Sequence, residues 1–211
     1  MTYDRVMELL FASSNPHKLD EVAGILAACG VTVVGVDAVA DRLAGFDPPE
    51  ETGSSFEANA RIKARAYALA ARRRCLADDS GLAVDALDGA PGVHSARYAG
   101  VGADRPDRDS ANNRKLLDAM HDVPEAERTA RFVCAMCLAD DDGNVLAETL
   151  GTFEGVIAEA PSGVNGFGYD PLLYLPDEGC TSAALTPEQK NARSHRGAAA
   201  RAIAAWLNAN A

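Results

Sequence analysis

The sequence predicts an α/β fold, a central mixed β-sheet with a long β-hairpin, elongated into two lobes. Three observations carry this. The first 36 residues read strand, loop, helix, strand, the opening of an α/β unit. Two long alternating segments flank a Gly/Asn turn in the middle of the chain, which reads as a hairpin. With 211 residues, 47% of them apolar and 24% charged, the chain has enough material for a sizeable core without staples.

The elements follow in order. "MELLFA" (7–12) is a continuous apolar run, hence a buried strand. In "PHKLDEVAGILAACG", Leu19, Val22, Ile25, Leu26 and Cys29 keep helical spacing, with Asn15 as N-cap, Pro16 in the first turn and Gly30 as the stop. "VTVVGV" (31–36) is the second strand, and 44–55 is a loop rich in Pro, Gly and acid. A long helix is expected over 55–74, with Phe56, Ala60, Ile62, Ala66, Tyr67 and Ala70 as its packing face. "CLADDSGLAV" (75–84) is a strand entering a turn, 91–108 reads as irregular, and a helix over 109–121 takes Asp109 or Ser110 as its cap. Residues 130–140 and 145–159 form the hairpin around "DDGN". After the glycine-rich "SGVNGFGYDP" (162–171) come a short strand, "PLLYLP", and two helices, one capped by Thr186 and the other by Ser194 and running through Trp206. There is no internal repeat and no linker, so 1–211 reads as one domain with two lobes.

Composition excludes several classes of function. A formal net charge of −11 repels nucleic-acid backbones, so neither DNA nor RNA is an expected partner. The apolar run near the N-terminus is too short for a signal core or a membrane span, so no membrane is expected either. Five scattered cysteines form no disulfide framework and point to a reducing cytoplasm. "CAMC" (134–137) lacks a second pair for zinc, and on a strand its thiols face opposite sides. No GxSxG elbow accompanies Ser80, and the histidines at 17, 94, 121 and 195 show no triad spacing. Of twenty basic residues only four are lysines, and Lys18, Lys63 and Lys190 all fall in motif-like segments. A lysine is a compact charge suited to phosphate oxygens.

Those segments are the candidates for chemistry. "SSNPHK" joins a strand to a helix start, where free N–H groups and the helix dipole favour an anion. Ser13, Ser14, Asn15, Pro16, His17 and Lys18 lie there, although the Walker spacing is missing and an ordinary capped helix explains the segment equally well. Glu50 or Glu51 of "PEETG" and Asp79 of "ADDSG" could share a magnesium ion with substrate phosphates; a solvated acidic loop is the alternative for each. Neighbouring Asp78 and Asp79 point opposite ways on an extended strand, so one of them faces a ligand, and Ser80 follows with a hydroxyl. Asn59 and Lys63, four apart, share a helix face. His195 and Arg196 at a helix start either read a base edge or are surface cations.

Taken together, "SSNPHK", "PEETGSSFEANARIKA", "ADDSGLAVDALDGAPGVHSARYAG", "GFGYDP" and "KNARSHRG" resemble the inosine triphosphate pyrophosphatase family, the non-canonical purine nucleoside triphosphate (dITP/XTP) pyrophosphatases. The resemblance covers essentially the whole chain. It implies an ITPase-like fold, usually a homodimer, and a magnesium-dependent hydrolase cutting ITP, dITP or XTP between the α and β phosphates. It implies that residues 13–18 hold the triphosphate with support from Lys63. Glu50, or its neighbour Glu51, ligates Mg2+. Asp79 ligates it too and accepts the proton of the attacking water, while Ser80 contacts substrate. Phe167, Gly168, Tyr169 and Asp170, joined by Lys190, His195 and Arg196, form the base pocket. The family often carries threonine–glycine before the asparagine, where this chain has Ser13–Ser14. A house-cleaning pyrophosphatase for other modified nucleotides and a non-catalytic nucleotide sensor are the competing readings.

Overall fold

The computed structural model describes residues 7–210. A seven-stranded mixed sheet runs in the order β2-β1-β3-β4-β5-β6-β7. β1 (Met7–Phe11) pairs in parallel with β2 (Val31–Gly35) and with β3 (Cys75–Val84). β5 (Val145–Ile157), the second arm of the hairpin begun by β4 (Thr129–Ala139), pairs antiparallel with β6 (Leu173–Leu175), and β6 with β7 (Cys180–Thr181). The chain divides into two compact units. Unit 1 holds the chain up to Asp79, Cys134–Gly151 and everything from Arg196 on; unit 2 holds Ser80–Val133 and Thr152–His195.

Unit 1 owes its layering to the two-residue period of its strands. Leu9, Phe11, Leu76, Cys134 and Met136 bury one face of the sheet against α1 (Pro16–Ala27) and α5 (His195–Ala209). Leu10, Ala12, Cys75, Ala77, Ala135 and Cys137 bury the other against α2 (Phe56–Ala71). The two thiols of "CAMC" therefore lie in different cores, as strand geometry required. α1 starts as its sequence dictates, with Asn15 accepting from the His17 N–H at 3.1 Å and Pro16 following. α2 is capped by Ser55 and packs through Ala60, Ala64, Ala68 and Ala71, all completely buried. Ile62, Ala66, Tyr67 and Ala70, expected on that face, are only partly buried. A stripe of methyl groups brings the helix closer to the sheet than larger side chains would allow.

Unit 2 has its own core, with Leu82, Leu116, Phe132, Ile157, Leu172 and Tyr169 among its members. Its helix α3 (Arg105–Ala119) begins four residues before the expected start. Asp104 is the cap, accepting from the Asp107 N–H at 2.9 Å, and Pro106 sits in the first turn. Within the stretch expected to be irregular, Gly92–Arg97 form a 3-10 turn. α4 (Pro187–Arg193) starts at Thr186 with a reciprocal capping box to Gln189.

Candidate active site

In unit 1 the pleat of β3 separates two neighbouring aspartates. Asp78 turns to the α1 and α5 side, where its Oδ2 lies 2.9 Å from Lys18 Nζ and 3.3 Å from Arg196 Nε. Arg196, 1% exposed, also pairs through Nη1 with Glu21 at 2.5 Å. Burial by itself would raise the Asp78 carboxyl. Lys18, then Arg196 and Lys63, overcome it and hold that carboxyl well below the ordinary carboxylate range.

Asp79 turns to the α2 side. Asn59 donates from Nδ2 to its Oδ2 at 3.0 Å, and Lys63 Nζ stands 3.7 Å from its Oδ1. The same ammonium donates to Glu51 Oε1 at 2.9 Å. Desolvation dominates at Asp79 and raises its pKa, against the lowering effect of Lys63 and the Asn59 hydrogen bond. At Lys63 burial is the largest effect and acts downward, but Asp78, Asp79 and Glu51 together leave the ammonium raised. Asn59 ties the acidic loop to this centre, because its Oδ1 accepts from the Gly53 N–H at 2.7 Å. Only glycine fits at 53, since a Cβ there would stand 2.7 Å from both Ala58 Cβ and Asn59 Oδ1. Of the two candidate glutamates, Glu51 is the one whose carboxylate reaches Lys63, whereas Glu50 is exposed.

The loop before α1 is quieter. Ser13 Oγ accepts from the Asn15 N–H at 3.2 Å, so Ser13 and Asn15 shape the turn while Ser14 and His17 are exposed. Ser14 is not in the left-handed region: among described non-glycine residues only Arg72 and Asp88 have positive φ, so serine replaces the family's glycine here without backbone strain. Ser80, half-buried, is the first residue of unit 2.

The glycine-rich loop of unit 2 is organised by a second buried aspartate. Asp170 accepts from the Phe167 N–H at 2.8 Å and from Lys190 Nζ at 2.6 Å through Oδ2, and from the Ser182 hydroxyl at 2.8 Å through Oδ1. Gly166, at φ +76°, is obligatory, since a Cβ would come within 2.1 Å of Asp170 Oδ2. Phe167 is half-buried, with Lys190 Nζ 4.9 Å and Arg105 Cζ 4.8 Å from its ring centroid. A pocket of about 550 Å³ opens between this loop and α3, with Asp109, Asn113, Val164 and Phe167 among its walls.

Three expectations change here. Tyr169 is core: it is 5% exposed and its hydroxyl donates to the Ser95 carbonyl at 2.8 Å, whereas Phe167 is only half-buried. His195 is no surface cation, being buried and stacked on Phe132 at 5.0 Å. Arg196 was expected on a base edge with Lys190 and His195; its guanidinium sits on Asp78 and Glu21. Glu21, Arg105, Asn113 and Ser182 build these clusters without standing out in the sequence, and Asp78 and Asp109 stand out there only as one of a doublet and as a helix cap. The "DD" doublet gave its signal through strand alternation.

A family model, Ham1 family, matches residues 9–206. This chain belongs to the Ham1 family. It is 49% identical over 198 residues to a dITP/XTP pyrophosphatase of Nitratidesulfovibrio vulgaris, covering 92% of this chain and 93% of that one. It is 48% identical over 205 residues to a dITP/XTP pyrophosphatase of Pseudomonas aeruginosa, covering 95% of each. Among solved structures, a HAM1 protein from Coxiella burnetii superposes with a TM-score of 0.84 at 38% identity, over 96% of this chain and 99% of that one. A nucleoside-triphosphatase, dITP/XTP pyrophosphatase from Mycobacterium abscessus gives 0.73 at 45% identity, over 95% and 99%. The span matched by the family model includes the residues of both clusters.

Proposed function

We propose that this chain hydrolyses non-canonical purine nucleoside triphosphates (ITP, dITP and XTP) to the monophosphate and pyrophosphate, cleansing the nucleotide pool. The observation that carries the reading is Asp79, a buried carboxylate with raised basicity, held by Asn59 and faced by Lys63. Full-length relatives bearing the name dITP/XTP pyrophosphatase support it.

Magnesium fits the unit 1 residues. Glu51 and Asp79 flank one cationic point, the Lys63 ammonium, so two carboxylates already lie where a shared cation would be held. Among the described residues no group of three or more His, Cys, Asp or Glu forms a closed cage, which suits an ion completed by phosphate oxygens and waters. Charge supports the same conclusion. Lys18, Lys63 and Arg196 stand against Glu21, Glu51, Asp78 and Asp79, three cations against four carboxylates, so a triphosphate needs added positive charge to settle there. Glu51 and Asp79 would hold the ion, which supplies charge neutralisation of the phosphates and of the departing pyrophosphate.

The chain's own residues do the rest. Asp79 takes the proton from the attacking water; its raised pKa makes it a better base, and Asn59 keeps one oxygen oriented. Lys63 and Lys18 attract the phosphate oxygens. Phe167 offers a ring for the purine, a contact worth about 1–3 kcal/mol. Lys190 donates towards a keto oxygen at the 6-position, which adenine's amino group cannot accept. A cytoplasmic homodimer completes the proposal. Sedimentation of the purified chain tests the dimer.

The deciding assay supplies magnesium and dITP, XTP, GTP or ATP and measures pyrophosphate and orthophosphate separately. The expected result is pyrophosphate from dITP and XTP, in large excess over ATP, and no magnesium-independent rate. Orthophosphate as the product, or equal rates on ATP, overturns the reading.

A further inference from the structure

α3 carries a polar stripe that nothing in the proposed chemistry uses. Arg105, Asp109 and Asn113 are spaced by four residues and share one helix face. All three touch the Gly168 backbone or the Phe167 ring. Arg105 stacks its guanidinium over the ring, at 4.8 Å from Cζ to the centroid. Asp109 Oδ2 accepts from the Gly168 N–H at 2.9 Å. Asn113 Nδ2 donates to the Gly168 carbonyl at 3.0 Å. Both polar groups of one glycine are thus occupied by one helix. Gly168 sits at φ +62°, and open space surrounds the position where a Cβ would be, so packing alone does not fix its backbone.

α3 is firmly placed to do this. On its adjoining face Asn112, buried, accepts from the Ala99 N–H at 2.7 Å and donates to the Ser95 carbonyl at 3.2 Å. That same carbonyl receives the Tyr169 hydroxyl at 2.8 Å. The loop is therefore tied to α3 directly at Gly168 and indirectly at Tyr169, with Phe167 next to the first tie and held from its own N–H by Asp170.

We propose that Asp109, seconded by Asn113, is a positioning residue that fixes the plane of the Phe167 ring and so sets how tightly the purine end of the substrate is held. The inference rests on Phe167 being the purine platform. Of the two Asp109 contacts, the hydrogen bond to Gly168 carries the effect. The ion pair with Arg105 is long, 3.9 Å, and both side chains are a quarter or more exposed, so solvent screens it. Binding lost at a remote group of the substrate appears in KM when the contact is equal in ground and transition states.

The test is steady-state kinetics of the full-length enzyme with magnesium and dITP, for Asp109→Ala, Asp109→Asn, Asn113→Ala, Phe167→Ala and the Asp109→Ala/Phe167→Ala double variant. Asp109→Ala should raise KM about tenfold with kcat within about twofold. Asp109→Asn, which still presents an oxygen to Gly168, should recover most of that loss, and Asn113→Ala should raise KM about threefold. In the Phe167→Ala background Asp109→Ala should add nothing, because the ring it positions is gone. If Phe167→Ala raises KM and Asp109→Ala does not, the positioning role is overturned and the platform stands. An unchanged KM in Phe167→Ala overturns the platform and this inference with it. A fall in kcat alone, or an equal Asp109→Ala effect with and without Phe167, assigns Asp109 to general structure and overturns the inference. Asn113→Ala keeps the question decidable should Asp109→Ala not fold.

Discussion

Asp78 in unit 1 and Asp170 in unit 2 are both buried carboxylates that face cations, and they are satisfied differently. Asp78 in unit 1 has two full cations at its oxygens, Lys18 and Arg196, and Arg196 needs a further carboxylate, Glu21. Asp170 in unit 2 has one cation, Lys190, one hydroxyl from Ser182 and one backbone N–H from Phe167. The first arrangement concentrates charge; the second orients a loop. A charge-rich cluster suits a polyanion with its metal, and a loop held by hydrogen bonds around an aromatic ring suits a flat, uncharged base. The difference also shows why a charged side chain inside a protein need not be the ligand contact: Arg196 is consumed by the scaffold, whereas Lys190 serves the scaffold and the ring at once.

Four experiments sharpen this contrast, the first with the largest effect. Asp79→Asn removes the proton acceptor but keeps its shape, and kcat should fall about a thousandfold, with an unchanged denaturation midpoint. Loss of less than tenfold would remove Asp79 from the base role. Asp78→Asn takes the Asp78 charge away from half-buried Lys18 and from buried Arg196, which keeps only Glu21, and should destabilise unit 1 by about 3–5 kcal/mol, read from urea unfolding. Asp170→Asn strands one cation but keeps one amide oxygen for the Phe167 N–H, and the Ser182 hydroxyl can turn to accept from the new amide N–H, so about 2–3 kcal/mol is expected. Equal losses would erase the distinction between the two aspartates. Gly166→Ala forces both a left-handed backbone and contact with Asp170, and about 1–3 kcal/mol of stability should go with it, accompanied by a higher KM for dITP.

Thiol chemistry gives the smallest and most local measure. Burial raises Cys75, Cys134 and Cys137, the last to about 12. A raised pKa means less thiolate at neutral pH, so these three should resist alkylation at pH 8 while Cys29 and Cys180, partly exposed, react. Rapid labelling of all five in the native protein would contradict the packing of both faces of the unit 1 sheet.

Much of this architecture is legible in the sequence because it is written in local rules. Asn15–Pro16, Thr186–Pro187 and the Gly/Asn hairpin turn all declare boundaries by capping or turn chemistry, and each element appears where they put it. The start of α3 was missed because Asp104 and Pro106, a proper cap pair, sit in a stretch where Gly and Pro otherwise signal irregular chain. β7 spans only two residues, too few to show a period. Of the packing face expected on α2, Ala60, Phe56 and Tyr67 do pack on the core, while close approach gives the other fully buried positions to Ala64, Ala68 and Ala71 rather than to Ile62. In the candidate site, alternation along β3 assigned Asp78 and Asp79 to opposite faces correctly. What no local rule carries is partnership over distance: Asp78 with Arg196 is a separation of 118 residues, and Asp109 with Gly168 is 59.

The alanine stripe of α2 has one further consequence. Asn59 and Lys63 ride on the same helix as Ala60 and Ala64, so the gap between the ammonium and Asp79 is set by how deeply those methyls seat. Ala64 is then a spacer for the pairing of Lys63 with Asp79 although it carries no polar group itself. Trading it for serine or glycine would retune the basicity of Asp79 from beneath, leaving every polar group in place.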